Sequence, residues 1–175
     1  LARKAALRSP ASSAAWAYLL EICQKCGQES EAVDAARSLV LRRPHDVEAH
    51  LRLAEMLHRE DQCNESLRVI ADAMQIDRRS PEVHHLFARR LFEQKFYEKA
   101  LEACSPPEVD PDDLHTLNLL STRILYAMGE IDEASQRLRE TLRHDPTDLD
   151  SWMQLANWCS ETGNYKLYDE ATDVL

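Results

Sequence analysis

The sequence predicts an all-α fold, a solenoid of stacked antiparallel helix hairpins. Three observations carry this expectation. Residue types recur every 34 positions without a gap, from Trp16 to Trp152 and from Pro10 through Pro44 to Pro146, and such a period marks stacked helix pairs. Within each period two apolar stripes stand at helical spacing. Glycine occurs three times and aromatic residues make up 6% of the chain, too few turn formers for a sandwich or barrel. Ala, Leu, Glu and Arg, all favourable in helices, dominate instead.

The elements follow in order. Residues 1–12 read as the second helix of a preceding repeat, with Ala2 and Ala5 in the register of Ala36 and Leu39. Residues 13–175 form a single array, with repeats beginning near Ser13, Val47, Pro81, His115 and Leu149, the last truncated. In the second repeat Leu53, Met56 and Leu57 face one way on the first helix, and Ser66, Val69, Ile70 and Ala73 do so on the second. Small residues recur at Ala32, Ser66, Ala100 and Ala134, where they let paired helices approach closely. Ser80 before Pro81 is an N-cap followed by proline at the first helical position, and Thr147 is expected to cap the last repeat. Turns are expected at Gly27, Asp61-Gln62, Gly129-Glu130 and Gly163-Asn164.

The third repeat departs from the pattern. Its second helix, expected near Lys99, meets Ser105-Pro106-Pro107, and proline cannot continue a helix. The acidic connection "SPPEVDPDD" is read either as a tolerated local deviation or as a kink that changes curvature or forms a docking lip. Both ends of the chain cut a repeat, so a segment of a longer solenoid is expected.

These residues resemble the tetratricopeptide repeat. Trp16, Leu19, Gly27, Ala32 and Pro44 match its motif in the first repeat, Asn118, Leu125, Gly129, Ala134 and Pro146 in the fourth, and Trp152, Leu155, Ala156 and Gly163 in the fifth. The resemblance implies a right-handed superhelical solenoid whose first helices line a concave groove.

The search for chemistry finds little. The net charge of −10 repels phosphate backbones, so nucleic acid is not expected as a partner. The acid is uneven: residues 1–46 carry seven basic and five acidic side chains, residues 115–175 five and eleven. No apolar run reaches membrane-spanning length, and no membrane insertion is expected. Five cysteines without framework spacing suit the cytoplasm or another reducing compartment. Cys23 and Cys26 form C-x-x-C, but no second pair completes a zinc site, and a helix C-terminus has the wrong polarity for a thiolate. Cys23 shares an apolar slot with Leu57 and Leu91 and reads as core. His50 and His84 hold the register of Trp16 and Trp152, which points to packing. No phosphate loop or nucleophile elbow is present. No catalytic residue, metal or cofactor is expected, and the chain is not read as an enzyme.

That leaves surfaces. The resemblance implies that Glu21, Glu55, Arg89, Arg123 and Asn157 form one groove ladder, and Ala17, Leu51, His85, Leu119 and Met153 another. A third runs through Gln24, His58, Phe92, Tyr126 and Ser160. The candidate partner-binding residues are Glu55, His85, Arg89, Phe92, Arg123, Tyr126 and Asn157. Guanidinium beside aromatic carbon suits a peptide with a carboxylate and an apolar side chain; the rival expectation is that the arginines pair with glutamates between helices. The chaperone-carboxylate clamp known in this family is not met, since Ala17, Glu21, Arg52, Glu82 and Leu86 stand at its slots. The expected function is a protein-interaction scaffold binding a protein or peptide segment. The alternative is a regulatory or substrate-docking segment of an enzyme whose catalytic domain lies elsewhere. Self-association through repeat ends is a third expectation.

Overall fold

Helix starts in this chain repeat as faithfully as its apolar residues. Ser12, Asp46, Ser80 and Asp148 stand in one 34-residue register, and each accepts a hydrogen bond from the backbone N–H three residues on: Ala15, Ala49, Val83 and Ser151. These side chains satisfy amides that the first turn leaves without partners. At the last repeat the cap is Asp148 and not the neighbouring Thr147, because the cap register falls on 148. The one break is Leu114, which has no cap side chain and is reached through a 3-10 turn at Pro111–Asp113.

The computed structural model describes residues 12–144, 146–163 and the isolated positions 168, 169 and 172. Among them it contains nine α-helices and no strand: α1 (Ser13–Lys25), α2 (Glu29–Arg42), α3 (Val47–Arg59), α4 (Cys63–Ile76), α5 (Pro81–Glu93), α6 (Tyr97–Ala103), α7 (His115–Met128), α8 (Ile131–His144) and α9 (Leu149–Thr162). The expected helix over residues 1–12 and the truncated last half-repeat fall almost wholly outside the described residues.

Each hairpin turns through a residue with positive φ, again 34 apart: Gly27 (66°), Asp61 (58°), Lys95 (63°), Gly129 (89°) and Gly163 (71°). Glycine takes this left-handed conformation freely, whereas a side chain strains it. Lys95 is the turn residue that the sequence conceals, since lysine carries no turn signal. A Cβ would meet nothing within 4 Å at any of the three glycines, so only backbone strain is at stake. Lys95→Gly is therefore expected to stabilise by about 0.5–1 kcal/mol, and Gly129→Ala to destabilise by about 1 kcal/mol. Asp61→Gly should gain less, because aspartate tolerates this region better. Denaturant midpoints check the series.

The chain divides into two compact units, Leu1–Phe87 and Ala88–Leu175. In the N-terminal unit one core gathers Leu19, Leu20, Cys23, Val33, Leu53, Met56 and Leu57 from α1–α3, and a second gathers Ala54, Ile70, Ala73 and Val83. The small-residue ladder does what its spacing implies: Ser66 on α4 donates to the carbonyl of Ala54 on α3 at 2.7 Å, a contact that a larger side chain would prevent. Cys23 is fully buried, as its register requires.

In the C-terminal unit the core is built from Leu125, Ala134, Leu138, Leu142, Trp152, Leu155 and Trp158. Here α6 has 7 residues, where α2, α4 and α8 have 14. The chain leaves the helix at Cys104, and Pro106 and Val109 of the connection are themselves buried. Burying them removes apolar surface of the connection itself from water.

The recurring Trp/His position also acquires a physical role. Trp152 Nε1 donates to the Pro146 carbonyl at 3.1 Å, and His84 Nε2 meets the Arg78 carbonyl, six residues back in both cases, at 2.9 Å. A carbonyl only accepts, so Nε2 of His84 carries the proton. His50 uses Nδ1 on the Asp46 carbonyl instead. All three rings are buried, and each pins a helix start to the preceding turn.

Candidate partner-binding surface

On α7 and α9 the predicted residues acquire support that the sequence did not announce. The Tyr126 ring stacks on Trp158, with centroids 4.6 Å apart and planes 12° from parallel. Its hydroxyl donates to Glu161 Oε2 at 2.8 Å. That hydrogen bond, followed by desolvation and the carboxylate's charge, holds the phenol above its ordinary pKa. The ring is thus fixed by a stack on one side and a charge-assisted bond at its tip. One turn earlier, Arg123 is exposed and makes no ion pair or hydrogen bond among the described residues. Asn157 is exposed on α9, and Met153 on the same helix is 52% exposed.

The other predicted residues of this unit are more engaged. Arg89 is partly buried and places Nε 3.8 Å from Glu93 Oε1 of its own helix. The glutamate beside Arg89 is thus one of its own helix, whereas the rival expectation was a pairing between helices. Phe92 packs against Tyr97 at the start of α6, with centroids 5.8 Å apart. In the N-terminal unit Glu55 is partly buried, with Arg59 Nη2 3.8 Å away on the same helix, and His85 is partly buried.

Sequence reasoning missed Trp158, Glu161 and Arg90. The ladder Ile22, Met56, Arg90, Ile124 and Trp158 would have found two of them. From Met56 onward its members are buried, including Arg90 at 3% exposure, whose Nη1 donates to Glu93 at 2.8 Å. A buried guanidinium requires such a partner. Glu161 carries no sequence signal, because its role depends on where Tyr126 points.

Two cysteines of this unit, Cys104 and Cys159, are buried. Burial pushes the Cys104 thiol up to about 12, against the opposing charge of Arg137, and burial likewise raises Cys159. Neither is a nucleophile at neutral pH. Among the described residues no group of three His, Cys, Asp or Glu could hold a metal ion. Nor is any described helix long and apolar enough to cross a membrane.

No family model and no curated protein matches the chain. Solved structures do. PilF of Pseudomonas aeruginosa superposes with a TM-score of 0.74 at 19% identity, over 95% of this chain and 76% of its own. A thermophilic TPR protein of Thermus thermophilus gives 0.65 at 20% identity, over 90% and 86%. YrrB, described as a TPR protein with an unusual peptide-binding site, gives 0.66 at 13% identity, over 99% and 91%. The register of caps, turns and small residues and these superpositions agree: the chain has the tetratricopeptide-repeat fold, an all-α array of stacked helix hairpins.

Proposed function

We propose that this chain is a protein-interaction scaffold and that α7 and α9 of its C-terminal unit read a partner segment bearing a carboxylate and an apolar side chain. The observation that carries the reading is Arg123: an exposed guanidinium with no described partner, one turn from an aromatic ring locked by Trp158 and Glu161. A carboxylate can take both N–H groups of such a fork. The rigid ring and Met153 offer apolar area at low entropic cost. Residues 115–175 carry five basic against eleven acidic side chains, so Arg123 stands out as a minority charge and would orient an acidic group. Asn157 offers an amide for the partner's backbone. Arg89 and Phe92 extend the surface within the same unit, and Glu55 and His85 form a separate, lesser group on the N-terminal unit. That YrrB is described as having a peptide-binding site supports the class of function, not the partner.

The test is capture from native extract with the wild-type chain, Arg123→Glu, Arg89→Glu/Arg123→Glu, and the reversal Arg68→Glu in the N-terminal unit, each checked for helicity. The captured partner's affinity should fall about 30-fold or more with Arg123→Glu, the size of an interface hot spot, and hold with Arg68→Glu. Equal affinity for wild type and Arg123→Glu would remove α7 from the binding surface.

A further inference from the structure

Turn by turn, α9 displays Leu149, Met153, Asn157 and Glu161. Leu149 and Met153 are 54% and 52% exposed, and Asn157 and Glu161 are exposed as well. The intervening Trp152, Leu155 and Cys159 are buried, so the four residues mark the side that α9 turns away from its core. Helix α7 lies alongside, because Tyr126 stacks on Trp158 and donates to Glu161 Oε2 at 2.8 Å. Arg123, one turn before Tyr126, is thereby level with Asn157, one turn before Glu161. The face reads in a fixed order: apolar, apolar, guanidinium, carboxylate.

The far end of that order calls for a cation. The Tyr126 hydroxyl hydrogen is engaged by Glu161, so the pair has only acceptors left to offer, beside a negative charge. The charge balance of the unit points the same way. Residues 115–175 carry five basic and eleven acidic side chains. A segment bearing a carboxylate alone meets net repulsion there, and a cation next to the carboxylate offsets it. Spacing fixes the form of the segment. Neighbouring members of the α9 series stand about 6 Å apart along the helix, and alternate residues of an extended chain stand about 6.5 Å apart on one side. An extended segment can therefore set alternate side chains on successive turns of α9.

We propose that the partner is an extended segment whose carboxylate stands between an apolar pair and a cation, each at alternate positions; this rests on α7 and α9 being the binding face. The apolar pair lies on Leu149 and Met153, the carboxylate on Arg123, and the cation on Glu161 and the Tyr126 oxygen. Glu161 thus acts twice, fixing the Tyr126 ring and selecting the cation.

The test is selection of a random peptide display library on the full chain, followed by synthesis of the best binder. Selected peptides should carry an acidic residue with an apolar residue two positions to one side and a basic residue two positions to the other. In the synthetic peptide, replacing the basic residue by glutamine should weaken binding to the wild-type chain about 1.5- to 5-fold, the range of an exposed ion pair. The same replacement should leave binding to Glu161→Gln unchanged. Glutamine at this position still accepts from the Tyr126 hydroxyl, so the ring keeps its place. If Glu161 only steadies Tyr126, its variant weakens both peptides alike, and such additivity overturns the inference. A second cycle sets the peptide's acidic residue, replaced by its amide, against Arg123→Gln. Coupling there without coupling in the first cycle overturns the inference and leaves α7 and α9 as a carboxylate-binding face. No coupling in the second cycle, or a library that enriches nothing, overturns the two together. Acidic and basic residues selected four positions apart mean a partner helix and overturn the extended segment.

Discussion

Trp152→Ala is expected to lower the stability of the C-terminal unit by about 3–5 kcal/mol, the cost of removing a buried indole. The side chain is 4% exposed and packs in the core with Leu138, Leu142 and Leu155. Two interactions are lost together, and substitutions separate them. Trp152→Phe keeps most of the burial and loses the N–H that donates to Pro146. Residue 146 is exposed, so water can replace that donor, and the bond alone should account for about 1 kcal/mol. Trp152→His follows the natural replacement at position 84, where an imidazole N–H meets the equivalent carbonyl. It should retain the bond and lose part of the packing. The expected order of stability in denaturant is wild type, Phe, His, Ala. A Phe variant as damaging as Ala would mean that the hydrogen bond dominates, contrary to this reading.

Ile70→Ala should cost the N-terminal unit about 2–5 kcal/mol and lie toward the upper end of that range. The spread at fixed chemistry reflects how well neighbours can collapse into the space left behind. Ile70 is fully buried, and two of its three fellow core members, Ala54 and Ala73, are too short to reach inward. They are short for a reason: Ser66 donates to the Ala54 carbonyl at 2.7 Å, so the α3–α4 approach is already set by small residues. Ile70→Val removes one methyl group and should cost about 0.5–1.5 kcal/mol. Paired denaturation curves for the two variants test whether this core is closed. A loss below about 1 kcal/mol for alanine would show that α4 can settle onto α3.

The two losses share an origin in the repeat. Most of the repeat is legible in residue types, because caps, turns and small residues each obey local chemistry. Ser80 looks like a cap, and Gly27, Gly129 and Gly163 look like turns. Lys95 does not, since its left-handed conformation is imposed by the two helices it joins and not by its own preference. Thr147 is a plausible cap by type, but Asp148 takes the role because register outranks a one-residue difference in side-chain chemistry.

Periodicity and proline chemistry act along the chain. The helices, their pairing, the period and the broken second helix of the third repeat can therefore be read from residue order alone. So can the placing of Arg123 and Asn157 on one ladder of positions and of Tyr126 on another. Which of those residues remain available is a matter of packing. Tyr126 is locked because Trp158 and Glu161, 32 and 35 residues away, meet it in space. Arg89 leans on Glu93, while Arg123 meets no described partner. Val109 and Pro106 turn an acidic connection into part of the packed surface. Side-chain partnership and burial arise between helices, so a register identifies the positions and the packing decides what each one does.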